Sequence, residues 1–225
     1  MAAEYTKKAF RLLLGISLAA LGCLLGIQAN IGLAPWEAFS IGISYKTGLS
    51  YGDVVVLTGL VILLIDFALK EKLGFGTIFN TLMLGKFTDL IAMTGLVPQM
   101  QGLLPGVVMM LAGQVCLSVG SYFYIGAALG CGPRDALMVA LCKRLHRLPI
   151  GVVRGIIEGG VLLAGWLLGA KVGLGTVISV FGIGFVLQFT FKLLRFEVKE
   201  LRHESVSQTV ARVSAFRRRA ALSER

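Results

Sequence analysis

The chain has 225 residues, 56% of them hydrophobic and only 15% charged, with 29 glycines and a formal net charge of +10. Soluble domains carry roughly 25% charged residues, so these proportions exclude a water-soluble globular domain and predict a chain embedded in membrane lipid. Four cysteines without CxxC spacing and two histidines leave disulfide frameworks, metal sites, haem and other cofactors unsupported.

After a short N-terminal segment, residues 1–8, an apolar run covers about 9–29. Its LLLGISLAALGC stretch resembles a signal peptide or a lipoprotein cleavage site at Cys23, but the run continues through LLGIQA, which favours an uncleaved first span. GLAPWEAF then opens a short helix, Pro35 to Thr47, and spans follow at about 51–70 and 75–95. The second half repeats the order, with a span at 105–127, a short helix from Pro133 to His146 opened by GCGPRDAL, and spans at 150–169 and 174–193. GxGT begins the last span of each half and puts Thr77 and Thr176 at the N-cap. The short helices are about 20 Å long at 1.5 Å per residue, too short for a hydrocarbon layer of about 30 Å, so they are expected to be re-entrant or interfacial.

The two halves, about 9–95 and 105–195, match each other. Gly15 falls on Gly113, Gly22 on Gly120, Gly32 on Gly130 and Pro35 on Pro133; after one inserted residue Gly52 falls on Gly151, Gly74 on Gly173, Gly76 on Gly175, Thr77 on Thr176 and Gly85 on Gly184. Apolar identities are cheap in a membrane protein, whereas shared Gly and Pro imply shared backbone geometry. Three crossings per half is an odd number, so the second half must enter from the opposite side. The predicted fold is all-α and polytopic, with six transmembrane helices as two inverted three-helix repeats, each with a short broken helix.

Basic residues orient this arrangement, because Lys and Arg concentrate in short cytoplasmic loops. With both termini cytoplasmic, only Lys46 and Lys171 fall outside, while Lys7, Lys8, Arg11, Lys70, Lys72, Arg134, the turn around Lys143 and the residues from Lys192 onward fall inside. The net charge is therefore read as topology, not as a nucleic-acid surface. The tail, 196–225, is predicted to be a cytoplasmic segment that contacts anionic headgroups or stays solvated.

GCGPRDAL, then GxxRxxxE at Gly151, Arg154 and Glu158, then VGLGT at Val172 to Thr176, resemble the YczE/YyaS group of bacterial integral membrane proteins, and more distantly YitT-type membrane proteins. The resemblance covers nearly all of 9–195 and implies a bacterial inner (cytoplasmic) membrane protein; it supplies no substrate and no catalytic residues.

Inverted repeats with broken helices are common in secondary transporters, whose sites lie between the repeats. Helix N-termini suit anionic groups, and the candidates are Pro35, Trp36 and Glu37 in one half and Pro133, Arg134 and Asp135 in the other. Proline followed by an acidic residue is also simply a good helix start. Charges inside spans cost roughly 2.5–3.5 kcal/mol each at a helix centre, and two pairs qualify: Arg154 with Glu158, at i and i+4, and Lys86 with Asp89, at i and i+3. Neither pair obeys the repeat, since their matched residues are Val55, Gly59, Phe185 and Gln188. Ligand contact, a structural salt bridge and snorkelling all remain open for them. Asp53 and Asp66 lie near span ends and read as solvated, while Asn80, Gln28, Asn30, Gln114 and Gln188 are candidate cavity-lining groups that helix-to-helix hydrogen bonds explain equally well.

The leading expectation is a small secondary transporter or permease for a small polar or anionic solute, with a non-transporting accessory or regulatory subunit of a partner protein as the alternative. No enzymatic activity is expected, because the spans hold no Ser/His or Cys/His set. A homodimer is compatible with six short spans, but the glycines that would mediate it are the same ones that would pack the chain's own helices, so they do not decide between the two.

Overall fold

A computed structural model describes residues 2–71, 73–145, 148, 150–196 and 204–211. Among these residues the chain is all helical: α1 (Ala2–Gln28), α2 (Pro35–Thr47), α3 (Tyr51–Ala68), α4 (Phe75–Met93), α5 (Leu103–Gly126), α6 (Pro133–Arg144), α7 (Ile150–Leu167) and α8 (Leu174–Leu193), with a short helical stretch at 206–211. α1, α3, α5 and α8 are long and apolar enough to cross a membrane. α4 and α7, of 19 and 18 residues, do not join that set of four, and each carries one of the predicted charge pairs, Lys86 with Asp89 and Arg154 with Glu158. The outward faces are apolar, as in the row Phe181, Phe185 and Phe189 along α8, which suits contact with lipid tails.

α1 and α5 form the central seam and run antiparallel, because Gly15 meets Gly120 and Tyr124 while Gly22 meets Gly113 and Leu117. A Cβ at Gly22 would sit 2.7 Å from the Gly113 carbonyl oxygen, and one at Gly120 would sit 2.7 Å from the Gly15 carbonyl oxygen. Small residues here let two backbones touch, the usual basis of close helix packing in lipid. Exchanging matched residues converts the Gly15–Gly120 contact into the Gly113–Gly22 contact. The other contacts pair off similarly: α4 lies on α1 as α8 lies on α5, and α2 lies on α7 as α6 lies on α3.

After α1 and after α5 the chain turns through matched left-handed positions, Asn30 and Gly32 (φ 58° and 123°) and Ala128 and Gly130 (φ 56° and 132°). These turns aim the carbonyls of Ile31 and Leu129 at Gly175 N and Gly76 N, each 2.8 Å away. Thr77 and Thr176 are not the N-caps that the GxGT motif predicts. The caps are Gly74 and Gly173, and the threonines lie three residues inside, accepting hydrogen bonds from Gly74 N at 3.4 Å and Gly173 N at 3.2 Å. The reason is tertiary, since a side chain at the cap would strike the Leu129 or Ile31 carbonyl.

Candidate functional site

Pro35 and Pro133 each take the first helical position, after Ala34 and Gly132 in extended conformation. A fixed φ and a missing N–H suit that position, so both short helices begin where proline dictates. α2 ends at Gly48, left-handed at φ 73°, whose N–H reaches the Ser44 carbonyl at 2.9 Å. Their starts lie side by side, with the Arg134 guanidinium over the Trp36 ring, 4.5 Å from its centroid. α2 then packs on the end of α7, where Gly42 meets Gly165 and Leu168. α6 runs the other way, to where Lys143 binds Glu71 at 2.7 Å and Arg144 donates to the Leu69 carbonyl at 3.2 Å.

A cavity of about 150 Å³ lies at this meeting point, and its walls include Pro35, Trp36, Glu37, Arg134, Arg154 and Glu158. Six of the ten residues singled out in the sequence thus share one hollow. Pro133 is buried just behind Arg134, and Asp135 is exposed and outside the lining. α1 contributes Cys23, whose thiol lies 3.7 Å from Glu37 Oε1. α5 contributes Gln114, 3% exposed, whose Nε2 donates to the Ile178 carbonyl at 3.0 Å while its buried Oε1 accepts no hydrogen bond from the described residues. Buried polar atoms are rarely left unpaired, so Oε1 is an acceptor that a donor in the hollow could satisfy. Ligand pockets for drug-sized molecules measure about 300–1,000 Å³, and the smaller volume here limits an occupant to a few heavy atoms.

Charge in the cavity is balanced but not uniformly paired. Arg154 Nε binds Glu158 Oε1 at 2.8 Å. Arg134 forms no ion pair with the described residues. Two arginines and two glutamates cancel formally, which leaves the two helix N-termini, each equivalent to about +0.5 charge, as the net field. The hollow can therefore receive a small negatively charged group that also offers a hydrogen-bond donor.

Lys86 and Asp89 lie elsewhere. Lys86 pairs with Asp53 of α3, not with Asp89, and Asp89 accepts the Gly52 N–H at 2.9 Å. Both tie α3 to α4, where a Cβ at Gly85 would fall 2.6 Å from the Gly52 carbonyl oxygen and one at Gly59 would fall 2.6 Å from Thr81 Cγ2. The matched pair α7 and α8 barely touches, and Gly151 and Gly184, the counterparts of Gly52 and Gly85, have nothing within 4 Å of a Cβ. The substitutions explain this. Glu158 stands where the first half has the packing residue Gly59, Val180 stands where it has Thr81, and both line the cavity. A glutamate in place of a contact glycine holds the helices apart.

Asp53 is half-exposed as expected, but Asp66 is not solvated: it is 0% exposed, and neither carboxylate oxygen has a hydrogen-bond partner among the described residues. Its position near a span end suggested solvent; α6, packed alongside α3, removes it. A second, smaller hollow of about 70 Å³ sits at the loop end near Gly32, where Lys171 donates to Asn30 Oδ1 at 2.8 Å. At the other end residues 204–211 of the predicted tail are docked, while 197–203 and 212–225 lie outside the described residues. Glu204 accepts from Lys8 at 2.8 Å and from the Tyr5 hydroxyl at 3.0 Å, while Glu204 N and Val206 N each reach a carbonyl 2.9 Å away, on Ala128 and Leu73. Nothing in the sequence pattern singled out Glu204, because its partners lie almost 200 residues away.

Residues 6–192 match a family described as "Family of unknown function (DUF6198)". An uncharacterized protein of Haemophilus influenzae is 35% identical over 183 residues, covering 81% of this chain and 83% of its own length. From Bacillus subtilis, the uncharacterized membrane protein YczE is 26% identical, covering 78% of this chain and 81% of its own; the uncharacterized protein YyaS is 25% identical, covering 74% and 84%. No solved structure matches the chain. The family match takes in both halves and the whole cavity lining but stops short of the docked segment 204–211. A polytopic helical chain with this cavity and these relatives belongs to the DUF6198 family of bacterial membrane proteins, together with YczE and YyaS.

Proposed function

We propose that the chain is a small secondary transporter of the bacterial inner membrane, a permease for a small, negatively charged polar solute. The observation that carries this reading is the convergence of both short-helix N-termini, Arg134, Arg154 and the unpaired Gln114 oxygen on one hollow. In this reading the chain crosses six times, as two inverted three-helix repeats with α2 and α6 re-entrant. The antiparallel, glycine-matched contact of α1 with α5 supports the inversion, and the opposed courses of α2 and α6 away from one meeting point support re-entry. α4 and α7 are about 27 Å long at 1.5 Å per residue, enough to cross a layer of about 30 Å with small local adjustment.

The solute's anionic group rests against the two N-termini and Arg134, as in transporters where broken-helix N-termini point at anionic groups, and its donor meets Gln114 Oε1. The polar hollow at Lys171 serves as the outer vestibule. Purified protein in liposomes, tested with chloride, nitrate, formate, bicarbonate, phosphate and lactate, is expected to carry at least one of them, and Arg154→Ala is expected to slow that flux. Absence of flux for the whole panel, together with co-purification of a partner protein, would replace this reading with that of an accessory subunit.

A further inference from the structure

Resting on the permease reading, we propose that Asp66 is a proton-binding site which couples solute passage to proton movement in the same direction. Asp66 is wholly buried in α3, and its two carboxylate oxygens receive no hydrogen bond from the described residues. A carboxylate deprived of water, donors and a cation is strongly disfavoured against its neutral acid. The described surroundings leave the proton as the remaining partner. Lys143, on the packed helix α6, is held by Glu71, and Arg144 donates to the Leu69 and Ala140 carbonyls. Asp135 and Cys131, at the start of α6 and in the break before it, add no positive charge, and Cys131 lies within electrostatic range of Asp66, Glu71 and Asp135. α4 presents no ionisable residue before Lys86, which belongs to Asp53. Among the described residues no group of three or more His, Cys, Asp or Glu could share a metal ion.

The repeat gives the position its meaning. The residue matched to Asp66 is Gly165, which seals α7 against α2, since a Cβ there would lie 2.5 Å from the Ala38 carbonyl carbon and 2.6 Å from Phe39 N. The corresponding α3–α6 contact is less extensive and carries a carboxyl group where its counterpart carries a plug. In this proposal the anion leaves the central hollow along α6, the helix packed on α3, and so passes this group. A charged Asp66 repels it and a neutral Asp66 does not, so protonation becomes a condition of passage.

Two measurements on the full-length protein test this. Infrared titration should give a protonated-carboxyl band that disappears on deprotonation and is missing in Asp66→Asn; its absence from the native protein, its persistence in the variant, or its displacement by sodium at constant pH overturns the proton site. In liposomes, nitrate and chloride serve as probes because neither carries a proton across by itself. A nitrate gradient should drive proton uptake in native protein; in Asp66→Asn uptake should fall at least tenfold while nitrate–chloride exchange continues, and Asp66→Glu should restore it. Exchange with unchanged proton uptake in Asp66→Asn overturns the coupling. If neither anion moves, the permease reading loses its support for these ions while the infrared titration still decides the site.

Discussion

Arg134 and Glu37 face the same hollow with opposite charge, so neutralising each should move anion affinity in opposite directions. A cavity of about 150 Å³ places lining atoms about 7 Å from the centre of a bound solute once a contact distance of about 3.5 Å is allowed. At that distance one unit charge contributes about 2.4 kcal/mol for an effective dielectric of about 20, roughly 60-fold in affinity. Residual water lowers this, and about 10- to 60-fold is the expected range. Arg134→Gln should raise the KM for the transported anion by that factor, and Glu37→Gln should lower it. Arg134→Lys should fall between, because it keeps the charge but loses the planar stack on Trp36. Concentration-dependent uptake into liposomes, with thermal melting as a folding control, reads the result. Shifts of the same sign for Arg134→Gln and Glu37→Gln would refute an electrostatic role for the hollow.

Gly120→Ala should destabilise the α1–α5 seam by about 1–3 kcal/mol through overpacking against backbone, whereas Gly155→Ala, with nothing within 4 Å, should be neutral or stabilising by up to about 1 kcal/mol; melting in detergent separates them. Burial raises the Glu204 pKa, but hydrogen bonds from Lys8 and Tyr5 and the Lys8 charge outweigh it and leave the group below its ordinary 4.5. Docking is therefore favoured above the undocked value and lost as pH falls through the lower docked value, so tail protection in hydrogen exchange should drop at acidic pH in the native chain, and Glu204→Gln should be weakly protected at every pH. Glu158→Gly with Val180→Thr installs the first half's packing pair between α7 and α8. In a background lacking the native cysteines, Gly151→Cys and Gly184→Cys should then cross-link more readily than without those two changes.

Much of this arrangement was legible in the sequence because it depends on residues with strong local geometry. Proline fixed both short-helix starts, and matched glycines marked the backbone geometry that the two halves share; that four of them meet in the α1–α5 seam is a tertiary fact the match did not state. Arg154 and Glu158 were visible as a pair because i and i+4 share a helix face. What stayed hidden was tertiary. Lys86 had a near neighbour in Asp89 but bonds Asp53 on another helix, and the helix cap at Gly74 is decided by the Leu129 carbonyl, not by the threonine beside it in sequence. Asp66 read as solvated because sequence distance from a span end does not reveal that a short helix will cover it.

The departures from the repeat fall on seams made by α3 and α7, and they exchange roles. α3 closes against α4 through Gly59 and Thr81, with Asp53 and Lys86 bonded across the seam, but it carries Asp66 toward α6. α7 closes against α2 through Gly165 but meets α8 with Glu158 and Val180, which line the hollow. Each matched helix thus has one seam closed on a glycine and one where an acidic residue stands at the position of its counterpart's glycine, Asp66 against Gly165 and Glu158 against Gly59. Packing alone gives no reason for glycine to face Glu158 at one matched position and Asp66 at another. On the permease and proton-site proposals, binding a solute at the centre and loading a proton beside the exit are two unlike tasks that would account for that division.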